Sequence, residues 1–229
     1  MATLSSLVIK EKIMRTALNI ILQTSSDLGM KGSDNLRSGF YVNTKIAEEI
    51  WEIDEEIQKI KNGEAPGKDG VAGEAIDTFI SAVDLYALYA MDEGYDVEQM
   101  EAWLNKAFDT IDIEEYIKEK SQVSNTDTLS LLDILFKETG QASRVAIENS
   151  LIMDGVSYKT CTKEEAFSSF VVLMEKSLDV FYAATPELSD EMKADNFTHT
   201  VLKKVNKWRQ KRELNILSPE IEVKRKMGY

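Results

Sequence analysis

Residues 42–79 read VNTKIAEEIWEIDEEIQKIKNGEAPGKDGVAGEAIDTF. Val42, Ile46, Ile50, Ile53, Ile57 and Ile60 are spaced by 4, 4, 3, 4 and 3, which is one apolar stripe on a helix. The spacing predicts a helix over residues 43–61. NGEAPGKDG at 62–70 concentrates glycine, proline and asparagine, which interrupt helices, and predicts a loop. Beyond it Ile76, Phe79, Ile80, Val83 and Ala87 form the core face of a further helix over 71–92, which Gly94 ends. The loop permits the two helices to pack antiparallel along their stripes.

The same pattern extends in both directions. Leu7, Ile13, Met14, Leu18, Ile21 and Leu22 predict a helix over 4–28, closed by Gly29 and GSDN at 32–35. Asp96 is placed to cap a helix over 96–108, with Gln99 in the capping-box position. A short acidic helix is expected at 112–120 and a polar linker, SQVSNTD, at 121–127. Helices then follow at about 128–152, at 163–184 with Thr162 as its cap, and at 190–213, before a basic tail over 214–229. The fold class predicted is all-α, a single helical domain over 1–229.

The organisation of the first part recurs. GEAIDTF at 73–79 can be laid on EEAFSSF at 164–170, and EEIWE at 48–52 on KETGQ at 137–141. Glu49, Glu52, Glu74 and Asp77 then pair with Glu138, Gln141, Glu165 and Ser168. Each unit runs on into a helix with Asn-Lys before an aromatic residue, NKAF at 105–108 and NKWR at 206–209. The chain reads as two tandem helical units, 1–120 and 121–213, the second degenerate, followed by the tail.

Composition narrows the function. A net charge of −13 argues against nucleic-acid binding and against docking on an anionic membrane, both of which need basic surfaces. It leaves open a small anionic substrate bridged to the protein by divalent cations. One cysteine, Cys161, and one histidine, His199, leave no zinc cluster and no disulfide within the chain. The opening MATLSSLVIKEK does not read as a signal peptide, and no apolar run approaches a membrane span, so a cytoplasmic location is expected.

The acidic residues suggest the chemistry. Glu49 and Glu52 are three apart on one helix, Glu74 and Asp77 three apart on the next. At about 100° per residue each pair lies on one side of its helix, one turn apart. Glu49 and Asp77 flank the apolar stripes, so packing along those stripes would bring the carboxylates together. Such a group repels itself unless a cation sits among it, and hard oxygen donors select Mg²⁺ or Mn²⁺. Acidic pairs at this spacing are also common on solvated faces, which is the reading for Glu55, Glu56, Glu98 and Glu101.

Glu48-Glu49-x-x-Glu52, then 21 residues, then Glu74-x-x-Asp77, resembles the E-E-x-x-E…E-x-x-D signature of the all-α nucleoside triphosphate pyrophosphatases, the superfamily of MazG and the dimeric dUTPases. Residues 43–108 carry most of the likeness. It implies a Mg²⁺-dependent hydrolase that converts a (deoxy)nucleoside triphosphate to the monophosphate and pyrophosphate. Glu49, Glu52, Glu74 and Asp77 would hold the metal, with Glu49 or Glu52 helping to deprotonate the attacking water. Asn105 and Lys106 match the phosphate-contacting part loosely. NKWRQ at 206–210 resembles a segment of the dimeric dUTPases, which makes Asn206, Lys207 and Arg209 candidates to reach the substrate. Gly-Tyr does not closely follow that segment as it does in those enzymes, so uracil specificity is not implied. A homodimer is expected from the resemblance.

Trp51, Trp103 and Trp208 read as packing residues with base stacking as the alternative, and His199 as a surface residue. The lysines and arginines of 203–212 read either as a solvated basic face or as the phosphate side of a pocket. The competing functional reading is a non-catalytic helical interaction module that keeps the fold alone.

Overall fold

A computed structural model describes residues 17–29, 37–109 and 128–217 of the chain. The start of the first expected helix, the acidic helix at 112–120, the linker at 121–127 and most of the basic tail lie outside the described residues. The described residues form helices α1 (17–29), α2 (Gly39–Lys61), α3 (Gly70–Asp92), α4 (Val97–Asp109), α5 (Thr128–Met153), α6 (Lys163–Ala184) and α7 (Asp190–Lys211), with no strand among them.

Caps set the helix ends where the sequence anticipates them. Asp96 accepts from the Gln99 backbone N–H at 2.8 Å, and the Gln99 side chain accepts from the Asp96 N–H at 3.0 Å, a reciprocal pair that satisfies two otherwise unbonded donors. Thr162 and Glu165 make the same arrangement at the start of α6. Ser38 caps α2, which therefore begins four residues earlier than the isoleucine pattern indicates.

The loop after α2 is held from below by a residue whose role the pattern hides. Glu56 is buried, not solvated as its spacing suggested. It accepts the Gly67 N–H at 2.7 Å and pairs with Lys59. A Cβ on Gly67 would stand 2.5 Å from the Glu56 carboxylate, so a larger residue there would have to push that side chain aside. Gly70, at φ 58°, turns the chain into α3.

α2, α3, α6 and α5 touch one another in a closed ring, each packing on the next. α4, which follows α3, packs on α6, and α7, which follows α6, packs on α3. Exchanging α2, α3 and α4 for α5, α6 and α7 leaves this pattern of contacts unchanged. Burial follows the same correspondence. With Glu74 set on Glu165, the buried Ala75, Ile76, Phe79, Ile80 and Val83 fall on the buried Ala166, Phe167, Phe170, Val171 and Met174.

The core is one continuous cluster that also takes in Leu18, Ile21 and Leu22 of α1. Its aromatic centre is Phe167, whose ring meets Trp103 at 5.3 Å and Tyr86 at 5.0 Å between centroids. Trp103 is thus a packing residue. Trp51 is not: it is 66 % exposed and donates to Glu55.

No helix among the described residues is long and apolar enough to cross a membrane.

Candidate functional site

The isoleucine stripe of α2 and the apolar face of α3 meet, which turns the residues flanking both stripes toward one cleft of about 940 Å³. Tyr41, Lys45, Glu49 and Glu52 line it from α2, and Glu74, Asp77, Ser81 and Asp84 from α3. The opposite wall is α7, with His199, Lys203, Lys204, Lys207, Trp208 and Lys211.

Glu49, Glu74 and Asp77 each offer a carboxylate oxygen within 4.8 Å of the other two. Glu52 lines the same cleft and is hydrogen-bonded to Glu49, but offers no oxygen within that group. Burial pushes the Glu49 carboxyl up to about 8, reinforced by the charges of Asp77 and Glu52, the bond to Glu52 and the charge of Glu74. Burial likewise raises Glu74 to about 7, Asp77 adding to the rise and Lys204 opposing it. Asp77 is raised by burial in spite of its pairing with Lys204. Half-buried carboxylates this close to one another are the environment that a hard divalent cation relieves, and their oxygens are the donors such a cation prefers. The donor set fits Mg²⁺ or Mn²⁺.

These shifts define a pH dependence. A glutamate raised above its ordinary 4.5 keeps its proton in the folded protein when the unfolded chain has lost it. The stability this contributes is complete below that ordinary value and disappears as pH climbs through about 7 to 8. In metal-free buffer the melting temperature should fall between about pH 5 and pH 8.5, and Glu49→Gln should flatten that fall. Mg²⁺ should raise the melting temperature more at the upper pH, because a cation binds the deprotonated carboxylates. Equal slopes for the two proteins in differential scanning calorimetry would show that the cluster is not responsible.

The cationic wall is the part that spacing described least well. Lys204 pairs with Asp77 and, at 3.2 Å, with Asp69. Lys203, Lys207 and Lys211 have no carboxylate partner among the described residues and face the acidic wall across the cleft. Of the α7 residues matched to a substrate-contacting segment, only Lys207 lines it.

Asn206 is spent on the chain that follows α7, bonding both the N–H and the C=O of Leu217 at 2.8 and 2.9 Å. Arg209 is 4 % exposed; it pairs with Asp27 at 2.7 Å and donates to Thr24 and to the Asn215 carbonyl. Neither lines the cleft, because a helix shows one face to it and 206 and 209 lie on the other side. Asn105 and Lys106 sit on α4, which packs on α6, and do not line the cleft either.

Trp208 is half-buried at the cleft wall, with the Arg37 guanidinium 5.6 Å from its ring centre. Arg37 is fixed in turn by Asp84 and by the Ser25 carbonyl at 2.7 Å. Periodicity places Trp208 beside Lys204 on its helix but carries no sign of this buried support.

Comparison with protein-family profiles, with characterised proteins and with solved structures finds no match to this chain.

Proposed function

We propose that the protein is a Mg²⁺-dependent nucleotide pyrophosphatase that hydrolyses a (deoxy)nucleoside triphosphate to the monophosphate and pyrophosphate. One observation carries the reading: a three-carboxylate cluster faces a row of lysines across a single cleft. A triphosphate–metal complex needs both walls, carboxylates for the cation and ammonium groups for the phosphate oxygens that the cation leaves uncovered.

In this reading Glu49, Glu74 and Asp77 hold the cation, with Glu52 beside them. A bound Mg²⁺ would supply polarisation of the phosphate and a water acidic enough to attack at neutral pH. The cleft does the rest. Lys203, Lys207 and Lys211 draw in the phosphate chain and balance charge on the departing pyrophosphate. Glu49 or Glu52 takes the proton of the water whose oxygen joins the α-phosphorus, as the bond to the bridging oxygen breaks. Tyr41 and Glu49 are two helical turns apart on α2, about 12 Å along the axis. That places the aromatic end of the cleft, with Tyr41 and Trp208, at a distance suited to a nucleoside whose phosphates lie at the acidic end.

The exchangeable contact pattern and the matched burial of α3 and α6 support the reading of two tandem units, of which the MazG-like bundle is the proposed parent. Gln141 and Ser168 occupy two of the ligand positions in the second unit, so the proposed metal site belongs to the first. The non-catalytic alternative is favoured by one observation, that Lys204 already neutralises part of the cluster.

The test is incubation with a panel of canonical and modified nucleoside triphosphates and Mg²⁺, resolving nucleotide and phosphate products. Monophosphate and pyrophosphate in equal amounts are expected from at least one substrate. Folded protein that gains melting temperature with Mg²⁺ yet turns over none of the panel would transfer the reading to the interaction module.

A further inference from the structure

Lys204 is the lysine of α7 that is drawn into the acidic cluster, with its side chain only 16 % exposed. Its partners are Asp77, within the carboxylate group, and Asp69, outside it. Asp69 occupies the N-cap position of α3, where an aspartate normally accepts a backbone N–H, yet its side chain makes no capping bond. It is turned to the lysine instead.

We infer that Lys204 is a resident counter-ion of the acidic cluster, which a divalent cation must displace from Asp77, with Asp69 as the anchor that keeps the displaced ammonium in the cleft. This rests on the metal-site reading above. A lysine suits the part. It is a point charge on a flexible four-carbon stem, so it can leave one carboxylate without breaking a two-pronged contact, as an arginine would have to. A cation arriving at Asp77 removes the attraction that held Lys204 there and adds a repulsion. Asp69 remains within reach and makes no competing helix cap. The ammonium then stands beside the metal, free to meet an anion. The ion pair that favours a purely structural reading of the site is in this account what holds the site together until the metal arrives.

The consequence is a metal affinity set against Lys204. A unit charge within roughly 4–6 Å shifts proton affinity by one unit or more, so removing it should tighten cation binding by about tenfold. The experiment is calorimetric titration of Mn²⁺ alone into the full-length protein, with helicity checked by circular dichroism.

Lys204→Met should bind Mn²⁺ about tenfold more tightly than wild type, Lys204→Gln should move in the same direction, and Lys204→Arg should bind no more tightly than wild type. Lys137→Met, exposed on α5 and outside the cleft, is the control for the loss of one positive charge, and should change affinity by less than about twofold because a distant exposed charge is screened. Lys204→Met and Lys204→Gln binding no more tightly than wild type overturns the inference, and so does equal tightening by Lys137→Met. Absence of Mn²⁺ binding by every folded variant removes the metal site itself. Tightening without any nucleotide hydrolysis supports the counter-ion and defeats only the proposed reaction.

Discussion

Asp77→Asn and Glu49→Gln should each lower turnover by roughly three orders of magnitude while leaving the helices intact. Metal polarisation is worth several kcal/mol of barrier and each ~1.4 kcal/mol is tenfold in rate. Both substitutions keep the size of the side chain and remove the charge that would hold the cation. Their effects on stability should differ, and this distinguishes a metal site from a surface acidic patch. Glu49 makes no salt bridge among the described residues and is pushed up to about 8 chiefly by burial, with its acidic neighbours adding to the rise. Its amide relieves repulsion, so the metal-free Glu49→Gln protein should melt higher than wild type at pH values above about 8. Asp77 is the partner of Lys204, so Asp77→Asn forfeits an ion pair as well as a repulsion and should gain less. Single-turnover assays and thermal melts on the same preparations check both. Turnover within about threefold of wild type in either variant would remove these carboxylates from the reaction.

The second large effect concerns the core. Phe167→Ala should destabilise the protein by about 3–5 kcal/mol, read as a lower denaturant midpoint with an unchanged slope. Phe167 is 1 % exposed and lies where α3, α4 and α6 meet. Its ring has edge contacts with Tyr86, Trp103 and Tyr95, and Phe170 lies next to it at 6.2 Å. Truncation removes the apolar transfer energy and leaves a void that three helices cannot close without moving. Trp103, stacked on Tyr86 at 5.4 Å, gives the measurement a fluorescent reporter at the same place. A loss below about 1 kcal/mol would mean that α4 docks by other contacts. Leucine in its place should recover much of the loss, because it fills most of the volume.

The carboxylates and Phe167 differ in how much of their role is written in local spacing. Glu49 and Asp77 could be picked out because each flanks a helical stripe, and Glu52 and Glu74 because each stands three residues from one of them in a pattern written in local spacing. Phe167 looks like any other apolar residue of α6; its importance comes from the helix that follows α3 crossing onto α6.

What the chain's order of residues determined by itself was therefore local. The helical class, the loop at 62–70, the caps at Asp96 and Thr162, and the flanks carrying the acidic residues all follow from periodicity and from donors that must be satisfied at helix ends. Tertiary structure alone decided what each flank would meet. Lys204 reaches Asp77 across 127 residues of chain, and Arg37 reaches Asp84 across 47, because α7 and the start of α2 are packed against α3. The same packing turned Asn206 and Arg209 away from the cleft and buried Glu56 under its loop. A helical repeat specifies which side chains share a face; the helix that will lie against that face is chosen by the packing of the whole core, and no spacing within one helix records it.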